Sequence, residues 1–225
     1  MDLRVLTWNL FHGRAVPPAG RDLYDEFSTA LEGWAWDVAL LQEVPPWWPQ
    51  QLARTLGCEM AGVLTSRTAL LPVRRALAVR APDLMRSGAG GANAILARSD
   101  RIVQGRAALL CRRPERRRVH GVSLAVGVWV SNLHASAGPS PAAERDVHTA
   151  IRASQDWART ERLPLILGGD LNLRQVTGDG LQLAASSDVD HVLCDESIKV
   201  RAGTIARPDH GVLSDHAPLA VTLSI

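Results

Sequence analysis

Leu163-Pro164-Leu165-Ile166-Leu167-Gly168-Gly169-Asp170-Leu171-Asn172 is a short apolar run that stops in two glycines, an acid and an amide. A continuous apolar stretch of this length, bounded by turn residues, reads as a strand buried on both faces, and such strands lie inside a layered α/β fold. Glycines at its end let the backbone turn sharply, so polar side chains there project into a crevice instead of packing. Asp170 and Asn172 are separated by Leu171, so extended geometry points both polar groups one way and the leucine toward the core. Taken alone, a Gly-Asp pair after a strand is also ordinary turn chemistry. The reading therefore turns on whether other strands end in the same manner.

They do. Residues 3–8 alternate as a strand that stops at Asn9, and residues 22–36 carry Leu23, Phe27, Ala30, Leu31 and Trp34 at helical spacing. Residues 37–41 form the next buried strand and end at Gln42-Glu43; Pro45-Pro46 then breaks the chain before a short helix over 47–56. Residues 58–90 read as a strand followed by an irregular or helical excursion, closing on Gly88-Ala89-Gly90-Gly91. Four strands follow, over 92–97, 102–110, 118–124 and 126–133, with residues 112–117 as a charged hairpin tip around Pro114. The last of them ends at Asn132-Leu133-His134. Ser140-Pro141 caps a helix over 141–162 that leads into the Asp170 strand. Residues 188–193 and 218–223 are the remaining strands, the second just after Ser214-Asp215-His216.

The chain has 225 residues, 46% of them hydrophobic, enough for one substantial core, and residues 1–225 are expected to form one domain. No apolar run is long enough to span a bilayer, and Met1-Asp2-Leu3-Arg4 enters a strand without a signal-peptide pattern. A cytoplasmic protein with no membrane span and no obligate protein partner is the expectation. Cys58, Cys111 and Cys194 are odd in number and widely spaced, which suits reduced thiols rather than a disulfide framework or a zinc site. A net charge of +2 is too small to imply nucleic acid by itself. Lys199 is the only lysine, as a GC-rich coding bias would produce, so arginine richness says little about phosphate binding.

The strand ends collect Asn9, Glu43, His134, Asp170, Asn172, Asp190, Asp215 and His216. Carboxylates and amide oxygens are hard ligands suited to Mg²⁺ or Mn²⁺, while histidines and spare aspartates move protons and orient groups. Phosphate-ester hydrolysis needs those parts: a metal to neutralise phosphoryl oxygens, a base to position water, and an acid or cation for the leaving oxygen. Ser214-Asp215-His216 is not a serine triad, because adjacent residues cannot converge and no Gly-x-Ser-x-Gly elbow is present. Gly88-Ala89-Gly90-Gly91 is not a dinucleotide fingerprint, since a strand follows it instead of a helix.

Seven segments occur in a telling order: Thr7-Trp8-Asn9-Leu10, Leu41-Gln42-Glu43-Val44, Gly91-Ala92-Asn93-Ala94-Ile95-Leu96, Ser131-Asn132-Leu133-His134, Gly169-Asp170-Leu171-Asn172, Asp190-His191-Val192 and Ser214-Asp215-His216. Together they resemble the endonuclease/exonuclease/phosphatase superfamily, the fold of DNase I, exonuclease III, neutral sphingomyelinases and inositol-polyphosphate 5-phosphatases. That resemblance implies a DNase I-like α/β (α+β) four-layer sandwich, two mainly antiparallel β-sheets face to face with helices on both outer faces. It also implies Glu43 as principal metal ligand, with Asn9 beside it and Asp215 contributing directly or through water. Asp170 and Asn172 would position or activate the attacking water and hold the phosphate. His216, oriented by Asp190, would contact the scissile phosphate, and His134 would help expel the leaving group.

The implied activity is a Mg²⁺- or Mn²⁺-dependent phosphodiesterase with nucleic acid, DNA or RNA, as leading substrate. A phospholipid or inositol-phosphate head group is the first alternative, and a non-catalytic phosphate-binding module the second. The abasic-endonuclease branch has Gln-Glu-Thr and Tyr-x-Pro-Asn where this chain has Gln42-Glu43-Val44 and Asn132-Leu133-His134, which moves it toward the DNase I-like side. His12 and Arg14 in the first loop, and Asn93, are candidate substrate contacts. Arg112, Arg113, Arg116, Arg117 and Arg118 read as a solvated hairpin tip that could alternatively track a nucleic-acid backbone. Trp47 and Trp48, if exposed, could stack a base.

Overall fold

A computed structural model describes residues 1–65, 70–85, 91–98, 100–113, 115–138 and 140–225. Gly88, Ala89 and Gly90, expected to let backbone approach closely, lie outside the described residues, as does Pro114 of the hairpin tip. Twelve described strands build two sheets. The first contains β1 (Asp2–Asn9), β2 (Val38–Val44), β3 (Glu59–Leu64), β4 (Ala92–Ala97), β11 (Lys199–Val200) and β12 (Leu219–Ser224), in the order β11-β12-β1-β2-β4-β3. The second contains β5 (Ile102–Cys111), β6 (Arg117–Leu124), β7 (Val128–His134), β8 (Leu165–Asp170), β9 (Gln182–Ser187) and β10 (Asp190–Cys194), in the order β5-β6-β7-β8-β10-β9. Helices α1 (Tyr24–Gly33), α2 (Trp48–Thr55), α3 (Leu71–Arg80), α4 (Pro82–Met85) and α5 (Pro141–Glu161) complete the chain.

Side-chain alternation along the strands sorts the apolar residues into three layers of contact. Leu3, Val5, Val38, Leu40, Ile95 and Val221 of the first sheet face Val122, Val128, Val130, Ile166 and Val192 of the second. On the outer face of the first sheet, Leu6, Trp8, Leu41 and Leu96 pack under Phe27 and Leu31 of α1 and Trp48 and Leu52 of α2. On the outer face of the second, Val119, Trp129, Leu133 and Leu167 pack under Ala143, Val147, Ala150 and Ile151 of α5. The result is the expected four-layer sandwich. Each fully buried leucine contributes roughly 1.5–3 kcal/mol.

The two sheets repeat one plan. Each has a central parallel pair, β1–β2 and β7–β8, with antiparallel neighbours on both sides. A parallel pair needs a crossover, and α1 and α5 supply them. Parallel pairing brings carboxyl ends together: Asn9 pairs with Gln42 in one sheet, and His134 with Asp170 in the other. The four central strands thus end in polar residues at one edge of the sandwich, the position where open α/β sheets hold ligands. Below that edge, Gln42 donates to Thr7 Oγ1 at 3.1 Å and across to Asn132 Oδ1 at 2.8 Å. Asn132 in turn donates to the carbonyls of Leu41 and Ala94, both at 2.9 Å, so one buried amide pair rivets the sheets under the polar edge.

Several local expectations change. β8 ends at Asp170, and Asn172 has φ 53°, so the two do not share an extended face. The Asn172 N–H instead donates to Asp170 Oδ1 at 3.0 Å, an Asx-type turn. Trp48 is buried against Tyr24 and Phe27, which removes it as a stacking platform; Trp47 is half-buried and packs on the same cluster. β9 and β11 are strands the sequence reading did not contain. Cys58, Cys111 and Cys194 are free thiols. Among the described residues, no helix is long and apolar enough to cross a membrane.

Candidate functional site

Glu43 owes its direction to backbone irregularity. The β2–β4 ladder shifts register between Leu41 and Val44, and Glu43 takes φ 48°. A left-handed non-glycine residue costs of order 1–3 kcal/mol and persists where surrounding structure demands it. The carboxylate lies with Oε2 3.2 Å from His12 Nε2 and Oε1 3.9 Å from His134 Nε2. Burial, followed by the charges of Asp170 and Asp215, pushes its carboxyl up to about 7.

Asp170 is buried and held on both oxygens. Asn9 donates from Nδ2 to Oδ2 at 2.9 Å, and the Asn172 N–H takes Oδ1. Asn9 Oδ1 meanwhile accepts from the Phe11 N–H at 2.9 Å. Burial raises the Asp170 carboxyl above the usual range, against the opposing charge of His216 and the hydrogen bond from Asn9. Gly169 makes the close approach possible: it has φ 144°, and a Cβ there would sit 1.9 Å from the Leu133 carbonyl oxygen.

His216 reaches the site from the loop before β12. Its backbone is clamped by Ser214, whose hydroxyl donates to the Asn9 carbonyl at 2.6 Å and accepts from the His216 N–H at 3.1 Å. Trp8 Nε1 donates to the His216 carbonyl at 2.9 Å. Nδ1 faces Asp190 Oδ2 at 2.8 Å, and Nε2 lies 3.8 Å from Asp170 Oδ2. Burial disfavours the imidazolium, but the Asp190 hydrogen bond and the charges of Asp190, Asp170 and Asp215 outweigh it and push the imidazole up to about 9. Asp170, Asp190 and His216 place ligand atoms within 4.8 Å of one another. The 2.8 Å contact between His216 Nδ1 and Asp190 Oδ2 pairs two members of this trio, which as a group could also hold a metal ion.

His134 sits at the end of β7 with Nε2 3.4 Å from Asp170 Oδ2. Its Nδ1 faces Arg117 Nη1 at 2.9 Å. Burial and the Arg117 charge hold its pKa well below the usual histidine range. The sequence puts Arg117 in a solvated hairpin tip; the structure buries it at 6% exposure and pairs its other nitrogen, Nη2, with Glu115. Continuing the β6–β7 register would put Arg118, not Arg117, opposite His134, but that ladder ends at Val119↔Leu133. Hairpin register is the only signal the sequence offered here, and it points one residue away.

The remaining expected residues fall at different depths. Asp215 is exposed and acts on Glu43 and His216 through its charge. Asn172 donates to the Ala135 carbonyl at 3.2 Å, and its Oδ1 accepts from the Gly138 N–H at 3.4 Å, so it holds the loop after His134. His12 rests on Glu43, and the Arg14 guanidinium lies 3.7 Å over the Phe11 ring. Asn93 is fully buried on β4 with no side-chain partner among the described residues. The carboxylates of Glu43, Asp170 and Asp215 and the Asn9 amide supply hard oxygen donors at this edge. That donor set fits a divalent cation such as Mg²⁺ or Mn²⁺.

A two-sheet sandwich with acids, amides and histidines gathered at the carboxyl ends of its central strands defines a DNase I-like protein. The endonuclease/exonuclease/phosphatase family model matches residues 6–216, and the chain belongs to that family. Among solved structures, an endonuclease/exonuclease/phosphatase from Beutenbergia cavernae is similar at TM-score 0.73 and 22% identity, covering 100% of this chain and 72% of that one. A mannosyl-6-phosphatase from Bacteroides thetaiotaomicron gives TM-score 0.70 and 16% identity, over 99% and 100% of the two chains. TDP2 from C. elegans gives 0.70 and 14%, over 100% and 76%. At these identities the likeness establishes the fold. No curated protein sequence matches the chain. Family membership supports a phosphoesterase.

Proposed function

We propose that this protein is a Mg²⁺- or Mn²⁺-dependent phosphodiesterase that hydrolyses nucleic acid, DNA or RNA, by in-line attack of water. The observation that carries the reading is convergence: Glu43, His134 and Asp170 close on one another at the strand edge, with the Asp190–His216 ion pair beside them. Glu43 would hold the cation, with Asn9 Oδ1 and Asp215 as further oxygen donors. When bound, such a cation supplies charge neutralisation to the phosphoryl oxygens. Asp170, fixed by Asn9 and by the Asn172 N–H, orients the attacking water and takes its proton; its raised pKa makes it a stronger base than an exposed aspartate. His216, cationic through Asp190, binds developing phosphoryl charge. His134 gives a hydrogen bond to the leaving oxygen.

Arg112 and Arg113 are exposed on the turn between β5 and β6, the hairpin whose second strand opens at Arg117, and their positive charge supports a polyanionic substrate. One observation favours the lipid-head-group reading instead: Leu70, Val73, Leu77 and Leu84, on and beside α3 and α4, are all at least half exposed, at the same end of the sandwich. A non-catalytic module would have no use for the Asp190–His216 pair and His134 together.

A substrate panel separates these readings. Plasmid DNA, RNA, anionic phospholipid vesicles, bis-p-nitrophenyl phosphate and phosphomonoesters are incubated with Mg²⁺ or Mn²⁺. Cleavage of nucleic acid, weakened by salt and by changing Arg112 and Arg113 to Ala, is expected. Turnover of vesicle lipid alone moves the assignment to the lipid reading, and survival of every substrate defeats the enzymatic one.

A further inference from the structure

Arg117 has no place in the chemistry just described, yet among the described residues it is the one buried guanidinium that touches a site histidine. Its burial is hard to explain by stability. Its ion-pair partner Glu115 stands on the surface, and Arg117 Nε has no partner among the described residues, so desolvation is only partly compensated. The contact that uses its buried end is Nη1 to His134 Nδ1, at 2.9 Å.

A guanidinium only donates and keeps its charge at any ordinary pH. The imidazole nitrogen facing it must therefore offer a lone pair. A neutral imidazole has one such nitrogen, so the proton of His134 is on Nε2, the atom 3.4 Å from Asp170 Oδ2 and 3.9 Å from Glu43 Oε1. We propose that Arg117 is a positioning residue that locks His134 in the Nε2–H tautomer, so that His134 works as a neutral hydrogen-bond donor and cannot take a proton through the nitrogen it presents to the site. This rests on the phosphoesterase reading for its catalytic consequence, while the tautomer itself does not.

The arrangement is the opposite of that around the second histidine. Asp190 accepts from Nδ1 of His216, whereas Arg117 donates to Nδ1 of His134. A carboxylate behind one ring and a guanidinium behind the other give two chemically alike side chains two states. His216 can meet charge with charge. His134 can only lend a hydrogen, which suits an oxygen gaining negative charge and excludes His134 as the base that activates water. The base assignment then falls on Asp170, the acid that both Asn9 and the Asn172 N–H hold in place.

The test reads the tautomer directly. Long-range ¹H–¹⁵N correlation spectra of the labelled full chain are recorded near neutral pH, metal-free and with Mg²⁺, and His134 is assigned by its absence in His134→Gln. Wild type should show His134 as a single Nε2–H tautomer. Arg117→Met should convert it to a mixture and lower kcat on bis-p-nitrophenyl phosphate at least about tenfold, with KM changed less than about twofold. Arg117→Lys, which can still donate to Nδ1, should restore the tautomer and most of kcat. A wild-type His134 carrying its proton on Nδ1 overturns the proposal, as does an Arg117→Met protein with unchanged tautomer and kcat. If Arg117→Met does not fold, the wild-type spectrum and the Lys variant decide. If wild type hydrolyses no phosphoester, the function proposed above fails while the spectrum still decides the role of Arg117.

Discussion

At the scale of single residues, the site is a set of side chains each held by a neighbour that fixes its chemical state. In the proposed reaction Asp170 and His216 act on the reacting atoms, so Asp170→Ala or His216→Ala should each lower kcat at least about a hundredfold with the fold intact by circular dichroism. The Asp190–His216 pair also has a pH signature. The His216 imidazole is raised from its usual 6.5 to about 9 in the folded protein, so its stabilisation disappears as pH rises through 9, while Asp190, pushed up to about 6 by burial, releases the pair as pH falls below 6. The melting temperature of His216→Gln should fall further below wild type at pH 7 than at pH 10; an equal gap at both would count against the ion pair. Gly169 gives a stability test. Gly169→Ala must move the Leu133 carbonyl and should cost at least about 2 kcal/mol in urea unfolding. Asn9, Glu43, His134 and Asp170 were legible in the sequence because each follows an apolar strand segment. Asn172 was misread because a left-handed residue leaves no mark on an Asp-Leu-Asn pattern, and Arg117 because burial of a hairpin arginine depends on where a ladder stops.

At the scale of elements, the loop between β7 and α5 connects chemistry to packing. Asp146, buried on α5, accepts from the Ser136 N–H at 2.9 Å and from its hydroxyl at 2.6 Å, while Asn172 grips the same loop from the other side. Asp146→Ala should cost about 1–3 kcal/mol and loosen the loop that follows His134. The expected readout is faster amide exchange at Ser136 together with reduced kcat; unchanged exchange would show that Asn172 alone holds the segment. Strands such as Leu165–Asp170 and helix Pro141–Glu161 were readable from their own residues, one from unbroken burial and the other from its cap and spacing. β9, Gln182-Leu-Ala-Ala-Ser-Ser, was not, because its sequence is a weak strand former recruited by pairing with β10. β11 spans two residues and exists through its ladder to β12.

At the scale of the molecule, function follows from repeating one plan twice. A crossover helix in each sheet makes a parallel pair, the two pairs end at the same edge, and the Gln42–Asn132 amide bridge fixes one sheet against the other beneath it. The sequence announced ten of the twelve described strands but not which were parallel, since that is set by the crossovers and not by local pattern. The assembled edge concentrates negative charge, with Glu43 raised to about 7 by burial and by Asp170 and Asp215. A ligand that must be deprotonated binds metal less well as pH falls below its pKa, so Mg²⁺ affinity measured by calorimetry should drop by about tenfold per pH unit below 7 and level off above it. The most direct measurement of the central claim is the rate of bis-p-nitrophenyl phosphate hydrolysis by wild type and Glu43→Gln, with Mg²⁺ or Mn²⁺ and again after chelation. Turnover that vanishes on chelation, returns with added metal and is lost in Glu43→Gln is the predicted result. Turnover indifferent to the chelator, or undiminished in Glu43→Gln, would contradict it.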